Sequence, residues 1–115
     1  MGIANKLNSG RRRTMPEDLN LDDIQYVKAK DIAFSEGDPL VIRGFIIKDG
    51  DYGKGLTLYT DDLGINVPKR YVEMFEDMSD DEVADVLAGK LGISSIEAGI
   101  KTRQGVTVAI EFTDL

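Results

Sequence analysis

The side chains able to do chemistry in this 115-residue chain are carboxylates, amines, guanidinium groups and hydroxyls, because it contains no Cys, no His and no Trp. Thiolate nucleophiles, imidazole general bases, disulfides and nearly all zinc site types are thereby excluded. The remaining Asp, Glu, Lys, Ser, Thr and Tyr form no catalytic signature by spacing, so the expectation is a protein that is not an enzyme and carries no metal and no cofactor. The stretch Asp49-Gly50-Asp51-Tyr52-Gly53-Lys54-Gly55 is rich in glycine. It has no Gly-Lys-Ser/Thr and no following helix, as a phosphate loop requires, and its Asp49/Asp51 pair has no distal Glu, as a calcium loop requires. Hairpin geometry explains it better. What remains is binding chemistry, in which cations attract phosphates and aromatic rings stack on bases. On that reading Lys28, Lys30, Arg43, Lys54 and Arg103 contact phosphate, and Phe45, Tyr52 and Tyr59 are the stacking rings.

These residues need elements to position them, and hydrophobic period supplies the elements. Val27 and Ala29 alternate with Tyr26, Lys28 and Lys30, the period of two of a half-buried strand. Ser35-Glu36-Gly37-Asp38-Pro39 stops it. Leu40 to Lys48 is the densest β-branched and aromatic run, with Gly44 at its middle pointing to a bulge or sharp bend. Leu56 to Thr60 is the third strand. Ile65-Asn66-Val67 reads only as a short extended piece before Pro68. Tyr71, Met74, Phe75 and Met78 then recur at helical spacing. Ser79-Asp80-Asp81-Glu82 is a capping box opening a second helix, with Val83, Val86 and Leu87 as its buried stripe and Gly89 to close it. Ile96, Ala98 and Ile100, a turn at Thr102-Arg103-Gln104-Gly105, and Val106, Val108, Ile110 and Phe112 make two last strands.

The expected fold is mainly β, a five-stranded Greek-key barrel of the oligonucleotide-binding (OB) type with a helical insert between strands three and four. Residues 25–115 form that domain, preceded by a flexible arm over residues 1–24 that carries Lys6, Arg11, Arg12 and Arg13. An open α+β sheet is the alternative. Inward positions are then Val27, Ala29, Ile42, Ile46, Leu56, Leu58, Ile96, Ile100, Val108 and Ile110, and alternation turns Arg43, Phe45, Ile47, Thr57 and Tyr59 outward. Cations and rings converge on the face of strands two and three, extended by the hairpin tips at Tyr52/Lys54 and Lys101/Arg103. An outward row of Val41, Phe45 and Ile47 is also apolar enough to be a dimer interface.

The net charge of −7 runs against a phosphate-binding role, but it is unevenly placed. Glu73, Glu76, Asp77, Asp80, Asp81, Glu82 and Asp85, against Lys90 alone, account for nearly all of it. The cluster reads as a helix start and a solvated helix face, with a protein-binding or DNA-mimicking surface as the sharper alternative. No apolar run approaches the ~18 residues of a membrane span. The first residues show no secretory signal, and Lys6 stands where myristoylation requires Ser or Thr, so the expected location is cytoplasmic, without membrane attachment.

The stretch Leu56 to Leu91, LTLYTDDLGINVPKRYVEMFEDMSDDEVADVLAGKL, resembles small single-stranded-DNA-binding-like proteins of phages and mobile elements of Gram-positive bacteria. The resemblance implies an OB-fold, a homodimer or larger assembly, and binding of single-stranded DNA, or of RNA, with little sequence preference, in replication or recombination. The sequence departs from the better-known bacterial single-strand-binding proteins in having no Trp platform and no Gly/Gln-rich tail. The competing expectation is a protein–protein interaction module using the apolar strand-two face or the acidic helix.

Overall fold

The β-branched density of the middle of the chain and its closely spaced turns produce seven strands, in a computed structural model that describes residues 14–51, 53–103 and 105–115. The strands are β1 (Gln25–Lys28), β2 (Leu40–Val41), β3 (Gly44–Gly50), β4 (Gly53–Tyr59), β5 (Leu63–Val67), β6 (Leu91–Thr102) and β7 (Gly105–Asp114). Two short helices, α1 (Val72–Glu76) and α2 (Asp80–Leu87), lie between β5 and β6. The strands form a four-stranded sheet of order β1-β5-β4-β3 and a three-stranded sheet of order β2-β6-β7. β3, β4 and β5 are an antiparallel meander, and β1 lies parallel to β5.

The protein is mainly β, as expected, but the two sheets do not close into a barrel. At one corner Leu40–Gly50 passes from one sheet to the other: Ile42 N–H donates to Leu91 of β6, and the next N–H, of Arg43, donates to Tyr59 of β4. At the other corner no ladder joins β1 to β7. The chain leaves β1 through a 3-10 turn (Ala29–Ile32) packed against β6 and β7, and touches the second sheet through the single bridge Phe34–Ile96.

The first corner reverses the alternation expected for the second strand. Ile42 and Phe45 are both buried although three residues apart, because the two residues between them turn the chain rather than continue its pleat. From Gly44 onward Phe45 and Ile47 share a face with their cross-strand partners Leu58 and Leu56, while Ile46 faces the other way. Gly44 is required by a close approach: a Cβ there would lie 2.5 Å from the Thr14 carbonyl oxygen and 2.9 Å from the Met15 sulfur. The Thr14 carbonyl accepts from Phe45 N–H along the edge of β3, so the packed unit extends back to Thr14 and through buried Ile24. Lys6 and Arg11–Arg13 lie outside the described residues.

The core joins the inner faces of both sheets through α1. Phe45 of β3 meets Phe75 of α1 at 5.0 Å between ring centroids, Phe75 meets Phe112 of β7 at 5.8 Å, and Phe112 meets Tyr71 at 5.9 Å. The helical stripe is shorter than its spacing predicts. Lys69–Tyr71 is a 3-10 turn and α1 spans little more than a turn, so the buried arc rotates toward Val72 and leaves Met74 62% exposed. The capping box of α2 is present: Ser79 Oγ accepts from Glu82 N–H at 3.2 Å and Glu82 Oε1 accepts from Ser79 N–H at 3.0 Å. Gly89 follows with φ +77°, as expected.

β6 and β7 form a long hairpin with two irregularities, at Ser94 and at Ala98-Gly99, where Gly99 has φ +78°. Beyond the second one the hairpin leaves the core. Ala98, in the alternating row between Ile96 and Ile100, is exposed, and Val106 is 71% exposed near the tip.

Candidate nucleic-acid interface

Strand register determines which side chains share a surface. The inner face of the four-stranded sheet carries Val27, Phe45, Ile47, Leu56, Leu58, Ile65 and Val67. The outer face, turned away from α1, is built in rows. One row reads Gly44, Tyr59, Gly64, Tyr26 across β3, β4, β5 and β1; the next reads Ile46, Thr57, Asn66, Lys28; a third places Lys48 beside Gly55. Thr57 Oγ1 donates to Asn66 Oδ1 at 2.9 Å, so the floor of the middle row is polar and ordered.

Two grooves lie near the β3–β4 and β6–β7 turns. The first, about 540 Å³, runs along Lys48, the glycines Gly50, Gly53 and Gly55, Thr57, Asn66 and Lys69, with Asp49 and Asp51 at its end. The second, about 470 Å³, lies between Pro68, Lys69 and Arg70 and the hairpin residues Thr102, Arg103, Gly105, Val106 and Thr107. Lys69 lines both, so the two grooves adjoin at Lys69, with Lys48 in the first and Arg103 in the second. Missing side chains in the first groove let a polymer approach the backbone closely. Arg70 has a structural task beside it: its guanidinium donates to Tyr71 Oη at 3.1 Å and to the Val108 carbonyl, and Tyr71 Oη accepts from Ile110 N–H at 2.9 Å.

The expected site residues do not all meet there. Lys28 is exposed on the outer face, Lys30 is exposed in the turn after β1, and Arg103 is exposed at the rim of the second groove. Arg43 is drawn off by two carboxylates, Asp18 at 3.1 Å and Asp61, whose hydrogen bonds raise its already high pKa. Lys54 lies on the inner-face side, where Glu76 of α1 binds it at 2.6 Å and raises its pKa. Phe45, expected as an outward stacking ring, is 1% exposed in the core because of the parity change at the corner. Tyr59 does point to the outer side, yet it is also 1% exposed, since Tyr26 and the Met15 segment close over the glycines on either side of it. Burial and the hydroxyl of Tyr26, 3.2 Å away, push the Tyr59 phenol well above its ordinary pKa. Tyr52 lies outside the described residues. Lys48 and Lys69 were missed as site residues; Lys48 was legible as an outward position only once the parity of β3 was known, and Lys69 only as the residue after a strand-ending Pro68.

Among the described residues no group of three or more Asp or Glu is arranged to hold a metal ion, and no helix is long and apolar enough to cross a membrane. No protein-family model, curated protein or solved structure matches this chain.

Proposed function

We propose that this chain binds single-stranded nucleic acid, DNA in the first instance, along the outer face of β4 and β5 and the path through Lys69. The observation that carries the reading is a pair of grooves that share Lys69: Lys48 and Lys69 line the first, with Gly50, Gly53 and Gly55 along it, and Lys69 and Arg103 line the second. Segregation of charge lets a protein of net charge −7 present a local cationic track.

An OB-type reading, with its strands renumbered, is part of this proposal. From Leu40 onward the order is a bent strand shared by both sheets, two more strands of a meander, helices, and a hairpin, which is the OB order; β1 is then an additional strand laid against β5. On this assignment β4 and β5 are the second and third OB strands, and the β3–β4 and β6–β7 turns are the loops that flank an OB binding face. We read the molecule as an opened variant of that barrel, with Lys28, Lys48, Lys69 and Arg103 as the phosphate contacts.

The test is titration of a labelled oligothymidine by fluorescence anisotropy at low and high salt. Binding that weakens as salt rises supports the reading, through counterion release. Absence of binding at micromolar protein in low salt overturns it. The alternative, docking of a protein on the acidic helices, is favoured by Met74, an exposed apolar side chain beside Glu73 and Asp77. A protein partner would be retained through nuclease treatment and lost on Met74→Asp.

A further inference from the structure

We infer that Tyr26 is a base-stacking platform, a binding subsite on the additional strand β1 for the planar ring of a nucleobase; the inference rests on the proposed single-strand binding and extends its path beyond β4 and β5. Tyr26 is 53% exposed, the most exposed aromatic ring among the described residues, on an outer face whose other members are the buried Tyr59, the half-buried Ile46, and glycine, polar and cationic residues. A half-exposed ring beside a cationic side chain offers a planar surface on which a base can stack.

The ring is held in place. Its Cδ1 and Cε1 atoms occupy the space above Gly64, where a Cβ would lie 2.7 Å from each. The buried ring of Tyr59 meets it at 86° with 6.0 Å between centroids, and the two hydroxyls are 3.2 Å apart. One edge is therefore packed on the sheet, the tip is tethered, and the remaining surface is open to solvent. A ring positioned before the ligand arrives loses little rotamer freedom on stacking. Lys28 follows two residues along β1 on the same face, about 6.6 Å on at the usual strand rise, so a base on Tyr26 leaves its phosphate within reach of an ammonium group. The carboxylates at the adjoining turn are engaged: Asp61 by Arg43 and Asp62 by the Thr60 hydroxyl.

The experiment compares wild type, Tyr26→Ala and Tyr26→Phe on oligothymidine and on an abasic oligomer of equal length, by anisotropy in one low-salt buffer. Stacking worth the usual amount per base predicts that Tyr26→Ala binds oligothymidine at least about fivefold more weakly, the abasic oligomer unchanged, and that Tyr26→Phe keeps wild-type affinity. Tyr26→Trp supplies a second readout in a chain without other Trp: its emission is quenched by oligothymidine and not by the abasic oligomer. Equal loss on both oligomers, or no loss on either, overturns the platform while leaving single-strand binding in place; the same holds if the Trp variant binds without base-dependent quenching. Failure of the wild type to bind either oligomer overturns the proposed function, and the platform with it.

Discussion

Which cations line the grooves and the outer face, and which lie elsewhere, determines how binding should respond to salt. The perturbation is Lys28→Gln with Lys48→Gln, which removes two of the four cations on the proposed path, while Lys54→Gln, whose ammonium group is held by Glu76, serves as the matched control. For single strands each neutralised phosphate contributes about −0.7 to the slope of log K against log salt, so contacts from Lys28, Lys48, Lys69 and Arg103 give a slope of about −2.8. Raising salt fourfold then weakens wild-type binding by roughly 50-fold. The double variant retains two contacts and a slope of about −1.4, so the same change costs it only roughly sevenfold. Lys54→Gln should keep the wild-type slope. The assay is anisotropy of a labelled oligothymidine at four or more salt concentrations, with slopes rather than single affinities compared. A double variant with the wild-type slope, or a Lys54 variant whose slope falls as far, would refute the assignment of the track.

Three further outcomes follow from the packing. Gly44→Ala drives a Cβ into the Thr14 carbonyl and should detach the Thr14–Asp18 segment, at a net cost of about 1–2 kcal/mol read as a lower melting temperature; because that segment carries Asp18 to Arg43, adding Asp18→Asn should cost almost nothing more, and full additivity would contradict the account. Phe45→Ala, removing the ring that joins β3 to α1, should lose about 3–5 kcal/mol in denaturant unfolding, whereas a surface stacking ring at that position would lose little. Ser79→Ala should cost about 1 kcal/mol at neutral pH by removing the cap of α2. The Ser79 backbone N–H, and after it the Ser79 hydroxyl, hold the Glu82 carboxyl below its usual range, so the Glu82 half of the box is complete above the ordinary carboxylate pKa and is lost as pH falls through the lowered one. The gap between Glu82→Ala and wild type should therefore narrow in acid, and a gap that widens would contradict the assignment.

Local chemistry was legible without coordinates. The Ser79/Glu82 capping box, the left-handed Gly89, the hairpin at Gly50 and Gly53, and the inward Leu56, Leu58, Val108 and Ile110 each depend on residues a few positions apart, so type and spacing suffice. The cationic side chains were legible as candidates, but not their availability. Lys54 and Glu76, or Arg43 with Asp18 and Asp61, are far apart in the chain and meet only through the packing of α1 and the N-terminal segment on the sheet.

The sequence by itself determined the β-rich class, the position of the helical insert and the concentration of the excess negative charge in that insert, because period, capping and charge density are local properties. Tertiary structure alone decided the parity of β3, the parallel seat of β1 beside β5 and the burial of Tyr59. Each depends on one backbone approaching another: hydrogen bonds pass from β6 to β4 at Ile42 and Arg43, and the missing side chains of Gly44 and Gly64 are replaced by Met15 and Tyr26. Alternation within a strand carries no information about that handover, and for this reason Phe45, read as outward, became core, while Tyr26 at the far edge of the sheet remains exposed.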